Sequence, residues 1–545
     1  MNMRFLPAIL LCGISVTALS TAQAAGTDTE TRIRQLEAQI QDLSNQLADV
    51  KRGLQQRDAE VQKREEAVQN LEAESQKQRT AAKVTIGNGR PTIASADGDF
   101  TASIRGIMQA DWGYYSQGAA ARSLPTAYGP DLSSGTNLRR VELGLQGKVF
   151  GDWSYFFLYE FGNPSTEAPG HILYSYLQYD GLAPWAFRVG VYAPPANFDD
   201  STSAADLMFL ERNSPSNLQR GIAGSEGRDG ISILYLGDRL FGALSYTGGK
   251  VQDAPVFDEQ QALLGRVAYS AYVDSDARLV IGANGTYVFK LPDSLAGGSA
   301  SLATVPGGTA MNCVALSDLP EISVDSNAVK LVNTGSLPAT RLVQWGAEAA
   351  GNYRNFYAQA GYFGFAVDRA PVAYTVFSSA ATSNVAAVQP SNNQFSAWYV
   401  QGSWIITGES KGYSPATGAF TSLKPSAPFS LSKGDWGALE AVARFSDLNL
   451  NSHANDSANI ITDWSSASRT YTYYNTVRGG DQRIVTVGLN WYPNNDVRFA
   501  LDYQFIDVSR LQSPAAVATA GTPVLPTVDG GQRLHTLAAR FQLAI

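Results

Sequence analysis

The residues able to do chemistry in this 545-residue chain are charged, and their pattern is not that of an enzyme. Three histidines occur, His171, His453 and His535, at three distant places. They form no Ser/His/carboxylate arrangement and no His/Cys cluster of metal-ligand type, and no Gly-rich phosphate cradle ends in Lys-Ser/Thr. No catalytic residue, metal or cofactor is therefore expected. Arginine stands out instead. From residue 99 onward there are 22 Arg against 7 Lys, in a chain of net charge -8. A guanidinium is planar and permanently charged, which suits a crowded aqueous lumen. In such a lumen, Arg/Lys rings pass anions and Asp/Glu rings pass cations. Arg105, Arg139, Arg140 and Lys148 on one side, and Asp199, Asp200, Asp206 and Glu211 on the other, are the groups whose balance would set that sign.

These groups need elements to hold them, and the elements read as strands. In 484–508, Val485, Val487, Leu489 and Trp491 alternate with Thr486, Gly488, Asn490 and Tyr492. After the turn Pro493-Asn494-Asn495-Asp496, Val497, Phe499, Leu501, Tyr503 and Phe505 alternate with Arg498, Ala500, Asp502 and Gln504. Period-2 alternation with one wholly apolar face is a β-hairpin. Sixteen such stretches follow residue 99: 100–115, 138–149, 153–162, 171–180, 185–192, 228–236, 239–248, 261–273, 276–290, 341–352, 355–366, 393–408, 435–449, 483–492, 497–508 and 533–545. Short connections follow most even strands and long Gly/Ser/Thr/Ala/Pro loops most odd ones; Glu409–Gly434 breaks the rule. This parity, with aromatics such as Trp153, Tyr155, Tyr179, Trp185, Trp436 and Trp491 near strand ends, predicts an all-β, 16-stranded antiparallel transmembrane barrel. Its short turns and both of its ends would lie in the periplasm. The last strand sets Leu537, Ala539, Phe541, Leu543 and Ile545 against Arg540 and Gln542.

Four segments are expected. Residues 1–24 read as a secretory signal: Arg4, an apolar run too short to span a bilayer, and Ala22-Gln23-Ala24. That leaves Cys313, in a loop, as the single cysteine after the signal. Residues 25–82 read as a periplasmic coiled coil, because Ile33, Ile40, Leu47, Leu54, Val61 and Val68 fall seven apart, with Leu36, Leu43, Val50 and Leu71 at d and Arg57 and Arg64 interrupting. Apolar heptads of this kind imply a partner helix. Residues 83–98, with Gly87, Gly89, Pro91 and Gly98, read as a linker, and 99–545 as the barrel.

From 99 onward the chain resembles the phosphate-selective porin O/P family of Gram-negative outer membranes. The resemblance is carried by FTASIRGIMQADW (100–112), LRRVELGLQGKVFGDW (138–153), FLERN (209–213), WYVQGSWIITGE (398–409), GALEAVARFSDL (437–448) and VGLNWYPNNDVR (487–498). It implies a barrel that works as a homotrimer in outer-membrane lipid, with a third loop, here 193–227, folded in as an eyelet. It also implies an arginine ladder for phosphate. Arg139 and Arg140 match an Arg-Arg pair on the second strand, Arg105 stands two places before the first-strand Arg, and Arg266 matches one on the eighth. The family's loop lysines are missing between Asp199 and Phe209; the loop carries Asp199, Asp200, Asp206, Glu211 and Arg212 instead.

Those acids, facing Arg105, Arg139, Arg140 and Lys148, would set a transverse field across the constriction. Neighbouring strand residues point to opposite faces, so at most one of Arg139 and Arg140 is expected inside unless the strand starts late. Glu142, Glu160 and Glu348 are expected to pair with nearby arginines. The expectation is a passive porin for small hydrophilic anions such as phosphate, without nucleic-acid partners. The alternative is a plugged barrel whose coiled coil tethers the envelope.

Overall fold

The computed structural model describes residues 28–80, 82–87, 90–118, 131–162, 170–253, 258–292, 312–379, 382–456, 460–465, 468–473, 475–511, 516–517 and 531–545. The signal expected in 1–24 lies outside them. The chain divides into two compact units, Met1–Ala81 and Ala82–Ile545. The first contains one helix, α1 (Asp28–Thr80). Its apolar heptad positions from Ile33 to Leu71 are 51–71% exposed, so among the described residues of this unit the apolar seam read from the sequence is uncovered.

The second unit is the barrel. Its strands are β1 (Thr101–Gln117), β2 (Gly135–Val149), β3 (Trp153–Glu160), β4 (His171–Leu182), β5 (Trp185–Tyr192), β6 (Arg228–Leu236), β7 (Leu240–Lys250), β8 (Gln261–Val273), β9 (Ala277–Lys290), β10 (Val332–Tyr353), β11 (Phe356–Arg369), β12 (Asn393–Ile405), β13 (Ala438–Ser452), β14 (Val477–Tyr492), β15 (Val497–Ser509) and β16 (Gln532–Ala544). Each pairs antiparallel with the next, and β16 returns to β1 from Leu534↔Gln117 to Ala544↔Ile107. Closure matters because an unpaired backbone group in hydrocarbon costs several kcal/mol, and a closed sheet has no edge.

The hairpin β14–β15 shows how alternation becomes two surfaces. Leu489 is 55% exposed and Val487 48%, whereas Thr486, Asp502 and Gln504 on the opposite face are fully buried. The apolar outer face is the lipid band; the polar face is not solvated but covered by segments folded into the lumen.

Two expected boundaries change. The 83–98 linker is instead a hairpin, Lys83–Gly87 paired with Arg90–Ala94. Its second strand pairs with the start of β1, Ala94↔Thr101 to Thr92↔Ser103, below the point where β16 ends. It thereby covers β1 backbone that would otherwise be a sheet edge. Cys313 starts the strand Cys313–Asp318, which pairs with an early extension of β10. That pairing explains why β10 begins nine residues before the alternation becomes regular.

Three connections enter the barrel. The third loop, 193–227, carries α2 (Phe198–Ser201) and α3 (Ser214–Ala223). From the same long-loop end comes 319–325, with Ile322 and Val324 buried. From the short-turn end comes 406–437, the connection that broke the length rule; its tip buries Ala419 and Phe420. Leu210, Leu218, Ile322 and Val324 of the inserts pack with Phe363, Phe365 and Val367 of the wall, so the apolar core of this unit lies inside the lumen.

Candidate ion-binding lumen

The third loop is built for rigidity. Asn197 caps α2 by accepting from the Asp200 backbone N–H, and Asn213 caps α3 by accepting from that of Ser216 at 2.8 Å. Such caps satisfy donors that have no partner inside a helix. The Asn197 amide also donates to Gln219 at 2.7 Å, joining the two helices. Wall residues then clamp the loop. Glu348 accepts from the Phe198 N–H at 2.6 Å, Asp502 from that of Leu210 at 2.9 Å, and Asn490 donates to the Met208 carbonyl at 2.8 Å. Arg498 donates to the Leu207 carbonyl. Arg498 and Asp502 are thus anchors for the loop.

The expected acids on this loop are mostly engaged. Asp199 accepts from Asn213 at 2.7 Å and from Gln401 at 3.1 Å. Asp200 is paired with Arg220, which also pairs with Glu226. Glu211 is held by Arg139 at 2.7 Å and Arg540 at 3.0 Å. Burial alone would raise its pKa, but the guanidiniums of Arg139, Arg140 and Arg540 outweigh that and hold it well below the usual carboxylate range. Arg212 donates to the carbonyls of Asp199 at 3.1 Å and Thr202 at 3.0 Å and makes no ion pair among the described residues. Asp206 has no ion pair among the described residues; burial raises its pKa, against the pull of the nearby Arg105 charge and a hydrogen bond from the Ser422 backbone.

Arg139 and Arg140 are both buried and face inward, against the expectation of at most one. A β-bulge is the reason: Gln109 pairs with Arg140 but Ala110 with Leu138, so Arg139 has no opposite number. Two residues set against one turn consecutive side chains the same way. Lys148 departs from expectation differently. It is exposed near the short-turn end, eight residues and so roughly 26 Å along β2 from Arg140. It plays no part in the constriction.

Arg266 lies in the wall of none of the cavities below. It is fully buried, 3.4 Å from Glu348, and donates to Ser201 Oγ at 2.9 Å and to the Thr417 and Gly418 carbonyls at 3.0 and 2.8 Å. Its plane also lies 4.8 Å from the Phe198 ring centre. It ties the third loop to the 406–437 insert and is a clamp. Glu348 pairs with Arg266, and Glu142 lies 3.6 Å from Arg140, as expected of strand acids. Glu160 has no arginine partner among the described residues: it accepts from the backbone N–H of Val141 and Gly162 at 2.8 and 2.6 Å.

Three cavities among the described residues lie in the lumen. The outer one, about 390 Å³, is walled by Arg139, Arg140, Arg212, Lys250, Asp318 and Lys330 among others. The middle one, about 270 Å³, has Arg105, Arg188, Arg212 and Asp206 in its wall, and shares Arg212 and Glu226 with the first. The third, about 470 Å³ at the short-turn end, includes Arg90, Lys424 and Arg498 and shares Arg105 and Asp206 with the second. Arg105 donates to Ser203 Oγ at 3.0 Å, and Arg188 Nε donates to Gln178 at 2.8 Å. Neither arginine has a carboxylate within 4.0 Å among the described residues. Arg188 was not singled out in the sequence, yet it sits at an inward-facing position of β5. Alternation with the exposed Phe187 and Val189 is the signal that could have found it.

Residues 126–543 match the family model for phosphate-selective porin O and P. A relative, Porin O of Pseudomonas aeruginosa, is 21% identical over 420 residues, covering 75% of this chain and 84% of the relative. Among solved structures, OprB of Pseudomonas putida aligns with a TM-score of 0.42 at 7% identity over 82% of this chain and 94% of its own. OmpT of Vibrio cholerae aligns with a TM-score of 0.40 at 10% identity over 81% and 99%.

Proposed function

Since the chain belongs to the phosphate-selective porin O and P family and is an outer-membrane porin, we propose that it passes small hydrophilic anions, phosphate among them, by diffusion through the lumen. One observation carries the sign. In the middle cavity the acids Asp200 and Glu226 are neutralised by Arg220, while Arg105, Arg188 and Arg212 have no ion-pair partner among the described residues. Cationic groups without counterions at a narrowing favour anions. The loop's other acids therefore serve to hold the loop, and Asp206, with Glu142 of β2, faces the basic wall. Planar bilayers test this. The purified protein should give stepwise conductance, with a reversal potential of anion-selective sign in a KCl gradient. Insertion without conductance would refute the pore, and a cation-selective sign would refute the anion preference.

The α1 helix supports a second part of the reading. Its exposed heptad seam fits other copies of the same helix in a homotrimer, in the periplasm. Burying such a seam requires a partner, and a second and third copy are always at hand. Deleting 28–80 should lower the oligomer's thermal stability while leaving conductance per pore intact. An unchanged oligomer with a weakened envelope would assign α1 to tethering instead.

A further inference from the structure

The wall of the middle cavity is unlike the rest of the lumen. Phe156 and Leu158 occupy inward positions of β3, where most strands carry Gln, Ser, Thr or Arg. On β4 the pairing runs Leu158↔Tyr174 and then Tyr159↔Ile172, so Leu173 is skipped. This bulge brings both Leu173 and Tyr174 to the cavity, beside Tyr176. The rings form a continuous group: Phe156 lies 5.0 Å from Tyr174 and 6.0 Å from Tyr176, centre to centre. Among the described residues, Phe156, Leu158 and Leu173 form an apolar cluster packed against these tyrosines and separate from the main core.

Two of the three arginines that lack a carboxylate partner among the described residues stand on the same rings. Arg105 lies 5.5 Å from the Phe156 ring centre, and Arg188 lies 4.4 Å from that of Tyr176. Arg105 Nε is buried without a hydrogen-bond partner, and the two Nη groups of Arg188 have none among the described residues. Stacking on a ring fixes the plane of a guanidinium, so its donors are already oriented for a planar carboxylate.

We propose that the middle cavity is a binding site for small aromatic carboxylates, in which Arg105 and Arg188 hold the carboxylate and Phe156, Tyr174 and Tyr176 pack on the ring. This rests on the pore reading and narrows it from anions in general to an organic class. Inorganic phosphate gains nothing from an apolar wall and loses hydration against it. A flat ring instead exchanges water for ring contacts. The volume agrees: about 270 Å³ exceeds the roughly 150 Å³ that accepts a benzene ring and lies just below the range for drug-sized ligands. The site is suited to a single ring with its carboxylate.

The test is equilibrium binding to the detergent-solubilised full-length protein, by calorimetry at low salt, with benzoate, acetate and phosphate as probes. Benzoate should bind at least about tenfold more tightly than acetate. Phe156→Leu should lower benzoate affinity several-fold and acetate affinity clearly less, because acetate loses the orientation of Arg105 but no ring contact. Arg188→Gln should weaken both about tenfold, and Arg188→Lys should restore acetate more than benzoate, because ammonium does not stack as a plane. Bilayer conductance of chloride is measured on the same preparations. A protein that conducts but binds benzoate no better than acetate overturns the aromatic site and leaves the pore standing. One that binds benzoate with the expected pattern but never conducts supports the site and overturns the pore. Benzoate binding that Phe156→Leu and Arg188→Gln leave unchanged places the ligand elsewhere and overturns the assignment.

Discussion

Neutralising Arg105 and Arg188 together should cut anion preference without unfolding the barrel. Each makes a single side-chain hydrogen bond, to Ser203 and Gln178, and no ion pair among the described residues. Arg105→Gln with Arg188→Gln therefore leaves no buried carboxylate stranded. The magnitude follows from Coulomb's law. A monovalent anion about 5 Å from each guanidinium gains roughly 0.8 kcal/mol per charge in a water-like dielectric of about 80. Two charges give about 1.6 kcal/mol, roughly 15-fold in local anion occupancy at about 1.4 kcal/mol per tenfold. Screening over about 10 Å at 0.1 M salt reduces this to roughly fivefold. The anion-to-cation permeability ratio, from reversal potentials in a tenfold KCl gradient, should fall by about 5- to 15-fold, more at lower salt. Arg354→Gln is the control: it sits exposed on a short turn, 3.2 Å from Asp276, and should change nothing. A double variant whose ratio stays within about twofold of wild type, with conductance preserved, would show that these guanidiniums do not set selectivity.

Three further outcomes follow from the same geometry. Arg540→Met removes the partner of buried Asp111, 2.6 Å away, and one of the two partners of Glu211; stranding a buried charge costs about 3–5 kcal/mol, so thermal unfolding followed by gel mobility or circular dichroism should occur at clearly lower temperature. Burial pushes Asp318, in the outer cavity wall, up to about 7. Acidification from pH 8 to 6 removes its negative charge, so anion preference should rise through that window, and Asp318→Asn should abolish this part of the pH dependence. Gly418 has φ +58, and a Cβ there would stand 2.7 Å from the Phe241 ring. Gly418→Val should lift the 406–437 tip off the wall and enlarge or destabilise the single-channel conductance; recordings identical to wild type would mean that the insert does not limit the path.

The arginine clamps explain why those variants differ in kind. Arg105 and Arg188 carry charge beside a cavity; Arg266, Arg498 and Arg540 carry it into backbone carbonyls and buried acids. All five are single arginines on inward-facing strand positions. In a linear chain they are indistinguishable, because the alternation that places a side chain inside does not say what it meets there.

What the sequence determined by itself is the barrel wall. Period-2 alternation reports which face each residue takes, and the loop-length parity reports which end each connection joins, so sixteen strands and their order were legible from local pattern. The α1 heptads were legible for the same reason. Only the tertiary structure decided the lumen. The bulge opposite Ala110 turned both Arg139 and Arg140 inward, and the bulge at Leu173 assembled the aromatic wall; one extra residue in a strand leaves no local mark. The three inserts decided which acids are neutralised: Arg220 with Asp200 within one loop, Arg540 with Glu211 across 329 residues. The lumen's charge is the residue left after such long-range pairing, and pairing is a property of distance in space.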